Sequence, residues 1–284
     1  MSRDAAAEVR DRETVAGLSR GLQVIEAFNE GGGQMTLSEV ARRTSMSPAA
    51  ARRSLRTLAA LGYVRSVDRH YLLGARVLSL GSAYLRSADI ESMLMPELCR
   101  LVDLFGDTAG IAVLVDANII YVAHHCAPRG LRPVAAAGVT YPAYATSLGR
   151  MLLASLSEQE LEKYLASARF EKFTKLTETN PKRLRTILRQ VRKDGYATIV
   201  DQLFYGVTSL TVPIVNASGQ TIAALNTSTY TGQMTADALI KSRLSELKKS
   251  AAQLQRIIGS HPALQQALRT APERIVSDPP RKRA

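Results

Sequence analysis

Tryptophan is absent from this 284-residue chain, aromatic residues make up 5% of it, and it has only two cysteines and four histidines. So little aromatic surface leaves no material for a stacking platform of the kind that grips single-stranded nucleic acid. Cys99 and Cys126 cannot build a disulfide framework and are too few for a cysteine-based zinc site, so both are expected to be reduced. No apolar run approaches the roughly 18 residues that cross a bilayer, and the opening MSRDAAAEVRDRE lacks the apolar stretch of a secretion signal. A cytoplasmic protein without a membrane partner is expected. Nucleotide and metal motifs are missing too. Gly31 to Gly33 precede a helix but lack the preceding strand and following Lys-Ser/Thr of a phosphate loop, and no HExxH spacing occurs. No cofactor is therefore expected.

His124, His125 and Cys126 raise the question of an enzyme, through metal ligation or a cysteine nucleophile with a histidine base. Adjacent residues on a strand point to opposite faces, so the two histidines cannot readily share one metal. His70 and His261 stand alone. Catalysis is not expected. His124 is either a donor to a ligand carboxylate or a structural histidine.

Lysine is missing until Lys163, which makes the charge of the first half an arginine charge. The chain as a whole carries +12 with a sequence pI near 10.0, a balance suited to a polyanionic partner. Residues 40–76 hold eight arginines against Asp68 as the one acid, a local +7. At 46% hydrophobic residues, the chain is long enough for two domains each with its own core.

The pattern along the chain predicts an α+β protein of two domains: a compact unit over 14–74, a linker helix over 75–89, and a longer α/β unit over 90–260. The ends, 1–13 and 270–284, read as disordered. In the first unit, Leu18, Leu22, Ile25 and Phe28 recur at helical spacing. Thr36 followed by Glu39 is a capping-box pattern, with Leu37, Val40 and Ala41 as the buried side. Ser47-Pro48 opens a further helix that runs to Gly62. At 100° per residue, Ala51, Leu55, Leu58 and Gly62 take one side of it, and Ala49, Arg52, Arg53 and Arg56 the other. Tyr63 to Ser66 and His70 to Leu73, around a turn at Asp68-Arg69, read as a hairpin wing. This is a winged helix-turn-helix.

A solvated helix face normally mixes signs, whereas this one carries only arginine, whose guanidinium pairs by two parallel hydrogen bonds with guanine or phosphate. Small Ala49 at the helix start lets the backbone approach a groove. Arg52, Arg53 and Arg56, with Ser47 and Ala49, are the expected contacts to double-stranded DNA, and Arg43, Arg65 and Arg69 the expected contacts to its backbone. Linker residues Val77, Leu80, Tyr84 and Ala88 share a helix side that fits either a dimer seam or the chain's own domain. The second unit reads as a mixed sheet with helices: hairpins at 111–123 and 210–229, and helices near 91–105, 146–155, 181–194 and 234–258.

The runs LSRGLQVIEAF, TLSEVARRTSMSPAAARRSLRTLAALGYV and YPAYATSLGRMLLA strongly resemble the IclR family of bacterial regulators, over about residues 14–255. Within it, the chain looks most like the subgroup controlling protocatechuate, 4-hydroxybenzoate and β-ketoadipate catabolism. The resemblance implies a homodimer or tetramer with a GAF-like effector domain that binds a small organic carboxylate. It also implies a pocket made by the helix start after the PAYATSLG motif, an acidic loop and two late strands. In this sequence these are Tyr144, Thr146, Ser147 and Leu148, then Asp201 and Gln202, then Ser209, Asn226 and Ser228. Independently, unpaired N–H groups at a helix start suit a carboxylate.

Two departures from the subgroup stand out. Asp201-Gln202 is followed by apolar Leu203-Phe204-Tyr205-Gly206, where an aromatic ring would find more contact, and His124 stands where relatives often have arginine. The reading is a regulator that activates aromatic-acid catabolic genes, its ligand shifting two dimer arrangements through the linker helix. The rivals are a repressor answering to a short keto acid, and an architectural DNA-binding protein whose second domain is solidly apolar.

Overall fold

A computed structural model describes residues 15–30, 33–128 and 135–269. The end segments expected to be disordered, and Gly31 and Gly32, lie outside the described residues. The chain divides into two compact units, one running to Ala83 and the other starting at Tyr84.

In the first unit, α1 (Ala16–Ala27) continues into a short 3-10 turn at Phe28–Glu30. Strand β1 (Gln34–Thr36) leads into α2 (Leu37–Arg43), whose start carries the expected capping box: Glu39 N donates to Thr36 Oγ1 at 3.3 Å and Thr36 N to the Glu39 carboxylate at 2.7 Å. Helix α3 (Pro48–Ala60) starts with Ser47 Oγ accepting from Ala50 N and Pro48 in the first helical position. Strands β2 (Val64–Val67) and β3 (His70–Leu73) form the wing, and β1, not foreseen from the sequence, completes a sheet ordered β1-β3-β2. Three residues long, β1 is too short to display a period of two.

Val24, Phe28, Met35, Val40, Ala41, Ala51, Leu55, Leu58 and Val64 form this unit's core. Two expectations need correction. Gly62 is not on the buried side of α3 but in the exposed turn after it, at φ +79°, where a left-handed residue ends the helix. Leu18 and Leu22 do not enter the core: they are 65% and 47% exposed, because α1 has apolar residues on two sides and the core takes the side of Val24 and Phe28. The linker helix α4 (Val77–Ser87) buries none of its residues.

The second unit is built on a six-stranded sheet ordered β6-β5-β4-β9-β8-β7, with every pair antiparallel rather than mixed. Its strands are β4 (Thr108–Val115), β5 (Asn118–Cys126), β6 (Thr140–Pro142), β7 (Ala197–Val200), β8 (Val207–Val215) and β9 (Thr221–Tyr230). Alternation along β4 sorts the layers. Ala109, Ile111 and Val113 join a core with α5 (Ile90–Phe105), α9 (Ala236–Gly259) and α10 (Pro262–Leu268). Ala112 and Leu114 join a second core with α6 (Ser147–Ala154), α7 (Glu158–Ser167) and α8 (Pro181–Asp194). Helix α10 buries Leu264 and Leu268 completely, so ordered packing continues past residue 260. Among the described residues, no helix is long and apolar enough to cross a membrane.

Candidate nucleic-acid interface and ligand cavity

On α3, Ala49, Arg52, Arg53 and Arg56 are exposed while Ala51, Leu55 and Leu58 are buried, so one helix both closes the core and offers a cationic face. Ser47 is exposed at its N-cap. Arg43 lies in the last turn of α2, Arg65 on β2 and Arg69 in the turn of the wing, all exposed. Another arginine of the cluster is committed elsewhere: Arg76 donates to Leu61 O at 2.9 Å and lies 5.4 Å from the Tyr63 ring centre. Arg53 sits differently from Arg52 and Arg56. It borders an apolar groove of about 550 Å³ lined by Leu18, Leu22, Ile25, Leu61 and Leu80.

The second unit holds a cavity of about 70 Å³. Its floor follows from strand register. Gly110 on β4 faces His124 on β5 and Asn226 on β9, and Thr108 faces Ser228. His124 and Tyr121 are three residues apart, and on a regular strand they would point to opposite faces. A bulge corrects this: Ile111 pairs with Ala123 and Ala112 with Tyr121, leaving Val122 as the extra residue. Tyr121 and His124 thus meet edge to face, with ring centres 5.7 Å apart. A Cβ on Gly110 would come within 2.8 Å of the Tyr121 ring, 3.1 Å of Asn226 Oδ1 and 3.2 Å of the His124 ring. Glycine is what lets these three side chains converge.

One wall is polar. Thr146 Oγ1 caps α6 by accepting from Gly149 N at 2.9 Å, leaving the N–H groups of Ser147 and Leu148 without a partner among the described residues. Ser147 Oγ lies 2.8 Å from Ser209 Oγ and accepts from Thr211 Oγ1 at 2.7 Å. Asn226 Nδ2 donates to Ser209 Oγ at 3.2 Å and Ser228 Oγ at 3.1 Å. Asn226 Oδ1, fully buried, has no hydrogen-bond partner of good geometry among the described residues. Much of the remaining lining is aromatic or aliphatic, including Tyr121, Tyr141, Leu148, Ile199, Leu203 and Phe204. Phe204 is 38% exposed and meets Tyr141 edge to face at 5.6 Å.

Seven expected ligand residues therefore line one cavity: His124, Thr146, Ser147, Leu148, Ser209, Asn226 and Ser228. Tyr144, Asp201 and Gln202 do not. The Tyr144 hydroxyl donates to Glu171 O and accepts from Glu171 N. The Asp201 carboxylate accepts from Gly206 N, Val207 N and the Thr231 hydroxyl, which holds the turn into β8. Gln202 Oε1 accepts from Arg150 and Glu178 N, while its amide donates to Leu176 O. These bonds tie segment 171–178 to α6 and to the turn into β8. Arg150, unrecognised in the sequence, ties this framework together by donating to both Tyr144 O and Gln202, and burial lowers its pKa to about 10. Its position four residues after Thr146 put it on the motif helix, but no sequence signal set its burial apart.

Burial, and secondarily the neighbouring His125, holds the His124 imidazole down at about 4, so it is neutral near pH 7. The unfolded chain therefore takes up a proton between pH 6.5 and 4 that the folded chain does not, and stability falls as the pH drops through that window. With a discount for the exposed part of the ring, His124→Phe should recover about 1 to 2 kcal/mol of the stability lost between pH 7 and 5. Urea denaturation at both pH values measures this; parallel losses in the two proteins would contradict it.

A family model for the IclR helix-turn-helix domain matches residues 17–68, and one for the bacterial transcriptional regulator IclR C-terminal region matches residues 82–256. The chain is similar to the Pca regulon regulatory protein of Pseudomonas putida, 39% identical over 230 residues, with 81% of this chain and 79% of that one covered. It is also similar to the p-hydroxybenzoate hydroxylase transcriptional activator of Acinetobacter baylyi, 32% identical over 257 residues, covering 88% and 94%. Among solved structures, a double mutant of the PobR inducer-binding domain from Acinetobacter in complex with 3-hydroxybenzoic acid aligns with a TM-score of 0.53. That match is 29% identical and covers 56% of this chain and 94% of that one. The chain belongs to the IclR family of bacterial transcriptional regulators, and is a DNA-binding regulator rather than an enzyme.

Proposed function

We propose that the chain is an activator of aromatic-acid catabolic genes whose effector is a hydroxylated benzoate held in the cavity of the second unit. The observation that carries this is the cavity's two-sided lining: free helix N–H groups and hydroxyls on one wall, aromatic rings on the others. A carboxylate fits the start of α6, where Ser147 N and Leu148 N carry partial positive charge and Ser147 and Ser209 add hydroxyls. Neutral His124 adds a hydrogen bond rather than a charge. A ring hydroxyl supplies the donor that Asn226 Oδ1 needs, since leaving that buried acceptor unpaired costs about 1 to 3 kcal/mol. The names of the relatives, one an activator tied to p-hydroxybenzoate, support the ligand class and the sign of control.

At about 70 Å³ the cavity is roughly half the ~150 Å³ that holds benzene in an engineered apolar core. A benzoate therefore enters by displacing a wall. Phe204, partly exposed and held by one ring contact, is the side chain that gives way, so ligand binding is coupled to movement of the 203–206 turn.

Thermal stability in the presence of 4-hydroxybenzoate, protocatechuate, β-ketoadipate and short keto acids tests the reading, because a ligand that binds only the native state raises the unfolding temperature. A selective shift by a hydroxybenzoate is expected. A shift by keto acids alone would overturn the aromatic assignment, and no shift at all would overturn the effector role. Ser147→Phe should abolish the shift while leaving DNA binding intact; a normal response would move the site elsewhere.

For the DNA interface we assign base contacts to Arg52 and Arg56, and place Arg53 at the border between DNA and the apolar groove. Replacing either Arg52 or Arg56 by alanine should cost about 1 to 3 kcal/mol of operator affinity. Footprinting unchanged by both substitutions would sink the assignment. The exposed groove supports a homodimer, since two reading heads suit a palindromic operator.

A further inference from the structure

The arginine cluster of the first unit is not the only concentration of positive charge. Residues 163–193, all in the second unit, hold ten Lys and Arg against Glu171 and Glu178, a local +8 that exceeds the +7 of residues 40–76. Since the whole chain carries +12, everything outside these two stretches sums to −3. The excess charge is thus gathered in two places.

Helix α8 organises the second of them. Leu184, Leu188 and Val191 are buried. Arg185 and Arg192, on one flank, pair with Glu162 and Glu158 of α7, and Arg192 also donates to Ala154 O and Leu156 O. On the other flank Arg183 lies 3.8 Å from Glu178. Arg185 and Arg192 are thus committed to carboxylates and carbonyls of the chain itself. The outward face is different: Lys182, Thr186, Arg189 and Lys193 are all exposed and fall within about 60° of one another at 100° per residue. No carboxylate pairs with Lys182, Arg189 or Lys193 among the described residues, and the one acid of the helix, Asp194, is bonded by Gln190. Spanning eleven residue steps at 1.5 Å each, they make a cationic stripe roughly 16 Å long.

We propose that this face of α8 is a second, sequence-independent DNA-binding surface, contacting phosphates of the duplex beyond the segment read by the first unit. Charge complementarity favours a polyanion. A duplex held by one unit is present at high effective concentration for a basic surface on the same chain, so weak phosphate contacts there add to overall affinity without reading sequence. A stripe that lacks acids on its own face has no means of selecting a mixed-charge protein partner.

The test uses the full-length protein and a 60-base-pair duplex of random sequence, with binding measured across a range of salt concentrations. Wild type is compared with the combined K182Q, R189Q and K193Q variant, whose unfolding temperature and effector-induced shift are checked to be unchanged. The variant should bind about ten-fold or more weakly at low salt, and its slope of log K against log salt should be shallower by about 2 to 3, as expected for the loss of that many phosphate contacts. Superimposable curves would overturn the proposal. So would unchanged DNA binding accompanied by lost transcription in a reconstituted assay, which would assign the stripe to the polymerase instead.

Discussion

Replacing Gly149 by alanine is expected to lower the stability of the effector unit by about 3 kcal/mol or more and to abolish its ligand response. An added Cβ would lie 2.1 Å from Ala143 O, 2.3 Å from Ala143 Cα and 2.5 Å from Ala143 C, all backbone atoms that cannot rotate away. At Gly110, by contrast, the nearest atoms belong to side chains. The 3-10 turn Ala143–Ala145 must therefore withdraw from α6, taking with it the Arg150 bond to Tyr144 O and the Tyr144 bonds to Glu171. The free N–H groups of Ser147 and Leu148 would shift with the helix start. For a unit of this size, such a loss corresponds to a fall of roughly 6 to 12 °C in unfolding temperature. Calorimetry with and without 4-hydroxybenzoate checks both halves of the expectation. A near-native unfolding temperature together with a normal ligand shift would mean that the turn and helix tolerate separation, and that their contact does not define the site.

The sequence disclosed the local devices of this fold more fully than their assembly. Thr36 with Glu39 and Ser47 with Pro48 are short-range patterns whose chemistry closes within one helical turn, so they were legible directly and occur where expected. Polar lining was also legible, through the motif around Thr146 and the two late strands. Three things were not. A bulge at Val122 cannot be read from alternation, yet it alone brings Tyr121 and His124 to one face. Gly110 looks like any weak strand residue until its register partners, His124 and Asn226, are known. Asp201 and Gln202 are acidic and amide residues in a turn beside the cavity, and only their bonding pattern reveals that Asp201 Oδ1 and the Gln202 amide hold the surrounding backbone. In each case the missing information is long-range pairing, which residue type does not encode.

On the homodimer proposed above, introducing glutamate at both Leu22 and Leu80 is expected to yield a monomer and to reduce affinity for a palindromic operator by about a hundred-fold or more. Both side chains are close to half exposed and line the same groove in the first unit, with Leu18 and Leu61 beside them. Neither belongs to the core around Val24, Leu55 and Leu58, so the unit should fold normally with the charges in place. An apolar surface this continuous is costly to leave in water. A second copy fits that requirement because a two-fold axis brings the same groove to itself and sets two α3 helices for two half-sites. Arg53, on the groove's rim, would then lie where dimer and DNA meet, so Arg53→Ala should weaken both association and operator binding, whereas Arg52→Ala should weaken only the second. Sedimentation equilibrium and operator titration of the same samples separate these effects. If the double variant sediments as a dimer and binds DNA normally, the seam lies outside this groove, and the solvent-facing leucines of α1 are surplus to assembly.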